Sequence, residues 1–219
     1  MDQFLTDADV RVLGALIEKQ ITTPDNYPLS LNALVSACNQ SSNRQPVVSY
    51  GEETVLAAIT RLRRASLVRG IQRIDSRVTK YEHTAGDTLD ISEQEIAVLS
   101  VLMLRGPNTV GELRTRTERL ATFESLPEIE STLTALIERE KEPWVVRLPR
   151  KAGQKEVRYA HVLSGEVAVD SSDSATTAIS ATVSPVDDRV AVLEQTVSEL
   201  RSEVADIRRH LEEFRKQFE

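Results

Sequence analysis

The apolar residues of the chain recur at intervals of three and four over residues 5–165, which is the spacing of amphipathic helices. The first half contains three such sets, namely Val10, Leu13 and Ile17, then Leu31, Leu34, Val35 and Cys38, then Val55, Ile59 and Leu62. The second half repeats the series with Ile96, Leu99, Leu102 and Met103, then Val110 and Leu113, then Ile129, Leu133 and Leu136. Several sets follow a hydroxyl residue placed three positions before an acid, as in Thr6/Asp9, Ser92/Glu95, Thr109/Glu112 and Ser125/Glu128. Such pairs cap helix starts, so we predict three helices in each half.

After each third helix the pattern changes to short runs typical of strands. These runs cover residues 67–74 and 77–83 in the first half, and residues 144–148 and 157–161 in the second. Three helices followed by a hairpin is the order of a winged helix, a helix-turn-helix with a β wing. The predicted fold is mainly α with small β-hairpin wings, an α+β chain of two tandem winged-helix domains at residues 1–85 and 86–165.

The two halves also resemble each other directly. The segment Leu5–Leu13 has the apolar pattern of Ile91–Leu99, and the tetrapeptide Lys80–His83 is matched by Arg158–His161. Matching segments that fall in the same order indicate a duplicated domain. Duplication of a small helical unit favours a binding module over an enzyme.

The C-terminal part of the chain has a different composition. Residues 166–184 are dominated by small and polar residues without a period, which predicts a disordered linker. Residues 185–219 predict a coiled-coil helix with an apolar seam at Val190, Leu193, Val197, Leu200, Val204, Ile207, Leu211, Phe214 and Phe218. Val at most a positions with Leu at d favours a parallel homodimer. The alternative is a single amphipathic helix that folds back on the two domains.

Composition and charge lead us to expect a soluble, cytoplasmic protein. Cys38 is the single cysteine, which excludes an intramolecular disulfide. Acids at Asp2, Asp7 and Asp9 interrupt the N-terminus, and no stretch approaches the length of a membrane span. The net charge of −7 lies mostly outside the duplicated region, because residues 166–219 contribute −6.

The sequence contains no pattern typical of catalysis or cofactor binding. It lacks a glycine-rich phosphate loop, a His-Glu-x-x-His motif, a cysteine pair and a nucleophile elbow. His83 and His161 end equivalent strands, where a structural role is favoured over metal binding. Cys38 lies on the inner face of the second helix and is expected to be a small buried hydrophobe. We therefore expect no enzyme, no catalytic residue, no metal and no cofactor.

Nucleic-acid binding is the main functional hypothesis, because both predicted hairpins are basic. The candidate residues for phosphate contacts are Arg69, Arg73, Arg77 and Lys80 in the first hairpin, and Arg147, Arg150, Lys151 and Lys155 in the second, with Arg158 beside them. Against this, the starts of the third helices, which usually face bases, carry the carboxylates Glu52, Glu53, Glu124, Glu128 and Glu130. The alternative is that the basic hairpins are solvated surface without a ligand.

The long loop Asn39–Tyr50 between the second and third helices is rich in amides and hydroxyls, mostly within Asn39–Pro46. These groups can hydrogen-bond phosphates, bases or the backbone of a partner. They can also bind the backbone of their own loop. Both interpretations remain open from the sequence.

The segment Thr22–Leu34, continued by Ala37–Gln40 and Ser42–Val47, closely resembles the YceH-like family of bacterial proteins. The similarity extends over residues 5–165. This resemblance implies a tandem winged-helix fold, and it carries over no ligand and no catalytic residue.

Two functions follow as hypotheses. The first is a non-enzymatic DNA-binding protein with a transcription-regulatory role, which contacts double-stranded DNA through phosphates and forms a homodimer through its C-terminal helix. The second is a protein-protein interaction scaffold that binds an unidentified protein partner and no DNA.

Overall fold

The computed structural model describes residues 5–72, 78–139, 142–150 and 156–165. In chain order the elements are α1 (Asp7–Thr22), a short 3-10 helix (Pro24–Asn26), β1 (Leu29–Ser30), α2 (Leu31–Cys38), α3 (Glu52–Arg64), β2 (Val68–Ile71), β3 (Lys80–His83), α4 (Ala85–Leu89), α5 (Glu93–Arg105), α6 (Val110–Thr117), α7 (Leu126–Ile137), β4 (Val145–Arg147) and β5 (Tyr159–His161). The predicted α+β class, mainly helical with small antiparallel sheets, is confirmed for this part of the chain. The predicted linker at 166–184 and the predicted coiled coil at 185–219, including its whole apolar seam, lie outside the described residues.

The helix starts follow local capping chemistry. At α1 the Thr6 hydroxyl accepts from the backbone N–H of Asp9 at 3.2 Å, and the Asp9 carboxylate accepts from the N–H of Thr6 at 2.9 Å. The same reciprocal capping box begins α5 at Ser92 and α6 at Thr109. These hydrogen bonds satisfy backbone donors that a helix leaves unpaired in its first turn.

The prediction of a capping box at Ser125 is wrong, because its hydrogen bonds do not form. Helix α7 does begin after Ser125, but the Ser125 side chain makes no capping bond. The Glu128 carboxylate accepts instead from the side-chain amide of Gln94 at 2.5 Å and from the backbone N–H of Glu124 at 2.7 Å. Glu128 therefore ties the start of α7 to α5.

The strands form two small antiparallel sheets. In the first sheet β3 lies between β1 and β2, and the register pairs Leu29 with Tyr81 and Val68 with His83. In the second sheet β4 pairs with β5. The strands are shorter than predicted, and neither β1 nor α4 was predicted. With two and five residues, these elements are too short to show a periodic pattern.

The hydrophobic core is continuous between the two halves of the chain. Helices α1 and α5 pack against each other, and every residue in the stretches 10–17 and 96–104 is buried. The inward residues predicted for α1 are buried, and so are the residues between them. The reason is that α1 packs on α2, α3 and α5 at the same time.

Gly14 lies at the closest approach of α1 and α5. A Cβ at this position would lie 3.1 Å from Cγ of Leu104 and 3.2 Å from Cβ of Met103. The Ser100 hydroxyl donates to the Gly14 carbonyl at 3.4 Å across the same contact. The absence of a side chain at Gly14 therefore permits the spacing of the two helices.

The loop between α2 and α3 is held by hydrogen bonds within itself and by hydrogen bonds to α1 and α2. Asn39 binds the backbone N–H and carbonyl of Tyr50 through both atoms of its amide, at 2.8 Å each. The buried Arg44 donates to two backbone carbonyls and to the carboxylate of Glu18 on α1. Arg11 of α1 donates to two further carbonyls of this region. At Asn39 the interpretation that a loop amide binds the backbone of its own loop is therefore confirmed.

No helix within the described ranges is both long enough and apolar enough to cross a membrane.

Candidate nucleic-acid interface

The first candidate surface is the hairpin formed by β2 and β3. The register places Arg69 opposite Glu82, so that Arg69 and Lys80 lie diagonally on the same face of the hairpin. The Arg69 side chain is 68% exposed, and its Nε donates to the Glu82 carboxylate. Glu82 thus offsets part of the positive charge on this face. The other two predicted residues, Arg73 and Arg77, lie outside the described residues.

The C-terminal end of α3 carries three arginines with different roles. Arg61 donates from Nε to both carboxylate oxygens of Asp9 at 3.0 Å and so joins α3 to the start of α1. Arg63 and Arg64 are exposed, and within the described ranges their side chains form no hydrogen bond or ion pair. Only Arg63 and Arg64 are therefore available to a partner.

The outward face of α3 changes character along its length. Glu52 and Glu53 are exposed at its start, as the sequence predicts. Leu56, 45% exposed, and Thr60 follow on the same side, before the helix ends in exposed arginines. Phosphate contacts from α3 are therefore expected at its end and not at its start.

The second candidate surface is the hairpin formed by β4 and β5. Arg147 and Arg150 are exposed, whereas Lys151 and Lys155 lie outside the described residues. Arg158 does not join this surface, because its Nη1 donates to the Pro107 carbonyl at 2.8 Å and approaches the Glu112 carboxylate at 3.1 Å. The expectation that Arg158 adds to the wing charge is wrong, since it is directed towards α6.

The outward face of α7 differs from that of α3. Its exposed residues include no cation and consist of Leu126, Pro127, Glu130, Ser131, Thr134 and Ala135. A helix surface of this kind repels phosphate or leaves it unbound. Helices α3 and α7, the third helix of each half, therefore differ in their exposed surfaces.

His83, His161 and Cys38 are part of the packing of the described residues. His83 lies edge-on to Tyr27 with ring centroids 6.4 Å apart, and its Nε2 lies 2.5 Å from the Oε1 of Gln20. Burial lowers the pKa of His83 and that of His161 to about 4, and burial raises the pKa of the Cys38 thiol to about 12. The prediction of Cys38 as a small buried residue is confirmed. Among the described residues, no group of three His, Cys, Asp or Glu side chains is placed to hold a metal ion.

The structure also contains a cluster of arginines that sequence analysis missed. Arg105, Arg116 and Arg119 line a cleft of about 520 Å³ between α1, α5, α6 and the loop residue Asn43. Arg105 is separated from Arg116 and Arg119 in the sequence, and the mixed charges around Arg116 and Arg119 resemble an ordinary solvated surface. The packing of α6 on α5 brings them to the same cleft, and this tertiary contact cannot be seen in the sequence.

Comparison with known proteins shows the family of the chain. The model of a family described as "Protein of unknown function, DUF480" matches residues 5–154. A UPF0502 protein of Opitutus terrae is 52% identical over 171 residues, which are 78% of this chain and 74% of that protein. A UPF0502 protein of Vibrio campbellii is 50% identical over 184 residues, which are 82% of this chain and 85% of that protein. A UPF0502 protein of Aeromonas salmonicida is 48% identical over 184 residues, covering 82% of this chain and 84% of that protein.

These matches cover most of the described residues and agree with the YceH-like resemblance of the sequence. The chain belongs to the DUF480 family of bacterial UPF0502 proteins.

Proposed function

We propose that this chain is a cytoplasmic, non-enzymatic DNA-binding protein with a transcription-regulatory role, built from two tandem winged-helix units that contact duplex phosphates. The observation that carries the proposal is the placement of Arg69 and Lys80 on one face of the β2–β3 hairpin. Helix α3, whose end carries the exposed Arg63 and Arg64, packs against β2. Cations on a hairpin and on the adjoining helix end are suited to following a phosphate backbone.

The two halves contribute unequally in this proposal. The first half offers cations from both its third helix and its hairpin. Among the described residues, the second half offers Arg147 and Arg150 from its hairpin, whereas its third helix α7 exposes no cation. We therefore assign the larger share of DNA affinity to the first half.

The test is a fluorescence anisotropy titration of a mixed-sequence duplex of about 20 base pairs with the full chain, at about 50 mM and about 200 mM salt. We expect affinity to fall steeply with salt, because bound cations release counterions from the duplex. The double variant Arg69→Gln with Lys80→Gln should weaken binding and reduce the log–log salt slope by about one unit per lost phosphate contact. Arg147→Gln with Arg150→Gln should have a smaller effect.

The matched control is the double variant Glu52→Gln with Glu53→Gln, which also alters two exposed residues of the first half. Removal of these carboxylates should leave affinity unchanged or increase it, since they repel phosphate. No binding at the lower salt concentration refutes the proposal. A loss of affinity in the glutamate control refutes the assignment of phosphate contacts to the hairpin.

The second candidate function is a protein-interaction scaffold that binds no DNA. The observation that favours it is the outward face of α7, which lacks cations and leaves Leu126 40% exposed. This function predicts no anisotropy change with the duplex at either salt concentration. It also predicts a protein partner that survives nuclease treatment in a pull-down and is lost with Leu126→Asp.

We further propose that residues 185–219 form a parallel coiled coil that makes the protein a homodimer. The support is the apolar seam of the sequence, with mostly Val at a and Leu at d. Leu200→Glu with Ile207→Glu would bury carboxylates in the seam and should dissociate the dimer. Analytical ultracentrifugation of the full chain at tens of micromolar measures this. A wild-type monomer, or a double variant that sediments like the wild type, excludes the coiled-coil dimer.

A further inference from the structure

The cleft that contains Arg105, Arg116 and Arg119 is formed by both halves of the chain. Its walls come from the C-terminal parts of α1 and α5, from Asn43 in the loop, and from α6. Its volume of about 520 Å³ lies in the range of small-molecule sites, about 300–1,000 Å³. The cleft is distinct from the β2–β3 hairpin, and the proposed DNA contacts make no use of it.

Both carboxylates of the cleft form their shortest ion pairs with arginines that do not line it. Glu18 accepts from Nη1 and Nη2 of Arg44 at 3.1 and 2.5 Å, and the Arg44 side chain is fully buried. Glu112 accepts from a backbone N–H at the start of α6 and pairs with Arg158 at 3.1 Å. Its contact with Arg116 is longer, at 3.7 Å. Little negative charge therefore remains for the arginines that line the cleft.

Two of the lining arginines donate hydrogen bonds to neutral amides, and Arg116 also forms the longer ion pair with Glu112. Arg105 donates to the amide oxygen of Asn43, and Arg116 donates to that of Asn108. Arg119 is exposed, and its side chain forms no hydrogen bond or ion pair with another described residue. The cleft thus holds three guanidinium groups with incomplete neutralisation.

The electrostatic environment of Arg105 agrees with incomplete neutralisation of charge in the cleft. Burial lowers the pKa of Arg105, and the like charges of Arg116 and Arg44 lower it further, while Glu18 acts in the opposite direction. An arginine does not lose its proton in a protein, so the repulsion cannot be relieved by deprotonation. An anion placed between the guanidinium groups would relieve it.

We propose that this cleft binds a small organic molecule that carries a phosphate group. Guanidinium groups donate parallel pairs of N–H bonds to phosphate oxygens, which favours arginine for this anion. The apolar side chains Val101, Leu104 and Leu120 line the remaining wall and suit an apolar part of the ligand. A duplex backbone is convex and continuous, whereas this site is concave, so a small molecule fits better.

The experiment follows thermal unfolding of the full chain with inorganic phosphate and with phenyl phosphate, each compared with sodium chloride at the same ionic strength. Phosphate binding to the folded state should raise the Tm with increasing phosphate concentration, by roughly 5–11 °C at about 100 times Kd. Phenyl phosphate should act at lower concentration than inorganic phosphate, because its ring can contact the apolar wall.

Arg119→Gln is the main variant, because its side chain holds no contact needed for folding. The variant should require at least about tenfold more phosphate for the same increase in Tm, because it loses a charge-assisted hydrogen bond to the ligand. Arg114→Gln is the matched control, since Arg114 is exposed on α6, which directly precedes Arg119, but does not line the cleft. Arg114→Gln should respond to phosphate like the wild type, and Arg105→Gln should respond like Arg119→Gln.

Two results would overturn the proposal. The first is a phosphate response no larger than that of chloride. The second is an equal loss of response in Arg114→Gln and Arg119→Gln, which would show general attraction to surface charge. If Arg105→Gln fails to fold, the comparison of Arg119→Gln with Arg114→Gln still decides the question.

Discussion

The close contact of α1 with α5 predicts that Gly14→Ala destabilises the protein. In a helix interior this substitution normally stabilises by roughly 0.5–1 kcal/mol, because alanine loses less conformational entropy than glycine. At Gly14, however, the new Cβ would lie 3.1 Å from Cγ and Cδ2 of Leu104 and 3.2 Å from Cβ of Met103. Leu104 and Met103 are 3% and 6% exposed, so neither side chain has room to move aside. The two helices must separate instead.

The magnitude follows from two opposing effects. Overpacking a core costs about 1–3 kcal/mol, and the helix propensity of alanine offsets up to about 1 kcal/mol of that cost. We expect Gly14→Ala to lower the free energy of unfolding by about 1 kcal/mol, which corresponds to a decrease in Tm of roughly 2–4 °C for a chain of this size. Gly111 is the matched control, because the nearest atom to its new Cβ would be 4.0 Å away. Gly111→Ala should therefore leave stability unchanged or raise it by about 0.5 kcal/mol.

The assay is urea unfolding monitored by far-UV circular dichroism, extended to a double-mutant cycle with Leu104→Ala. Truncation of Leu104 removes two of the close contacts, so Gly14→Ala should become neutral or stabilising in that background. A Gly14→Ala variant that is at least as stable as Gly111→Ala would contradict a close contact of α1 with α5 at Gly14. An effect of Gly14→Ala that is the same with and without Leu104 would contradict it as well.

Three further predictions concern charged groups. Glu18→Ala should lower the free energy of unfolding by about 3 kcal/mol, because it leaves the buried Arg44 without its carboxylate. Glu18→Gln should lower it less in the same urea assay, since the amide keeps a hydrogen-bond acceptor. Equal losses of stability in the two variants would contradict this reasoning. Asp9→Asn should lower the free energy of unfolding by about 2 kcal/mol, because it weakens both the α1 capping box and the charged bond to Arg61. A loss of stability no larger than that of Thr6→Ala would show that the bond to Arg61 contributes nothing. Burial lowers the pKa of His161 from 6.5 to about 4. The unfolded chain therefore binds a proton at His161 more readily than the folded chain does. As a result, the free energy of unfolding should fall as the pH decreases from about 6.5 towards about 4. His161→Gln should make stability less dependent on pH in urea titrations at stepped pH across this window, and an unchanged slope would exclude the role of His161.

Much of the helical structure could be predicted because apolar spacing reports burial directly. Val55, Ile59 and Leu62 recur at helical intervals, and the structure buries all three in α3. Local chemistry was equally informative at the starts of α1, α5 and α6. At α7 it was not, because Glu128 binds Gln94, a residue 34 positions away. A long-range partner of this kind leaves no mark on the local pattern.

The candidate site was harder to predict, because a run of charge in the sequence does not show which cations are already paired. Arg69 and Lys80 were identified from their hairpin and do share a face. Arg158 belongs to a similarly basic run, yet it binds Glu112, 46 residues away. Of the cleft arginines, Arg105 lies in α5, Arg116 lies in α6 and Arg119 follows α6, and their spacing resembles that of ordinary solvated surface. Tertiary packing alone distinguishes these three cases.

Ion pairs within each half explain why a count of cations overestimates the positive charge that is free at the surface. In both halves the capping acid of the first helix also contacts an arginine from the end of the third helix or just beyond it. Asp9 binds Arg61 at 2.9 Å, and Glu95 lies 3.9 Å from Arg139. Arg139 additionally stacks on Trp144, with its guanidinium carbon 3.9 Å from the ring centroid. These arginines hold the first and third helices of each half together. Among the described residues of the first half, the cations whose side chains form no hydrogen bond or ion pair are Arg63, Arg64 and Lys80, and they lie on the surface proposed for DNA.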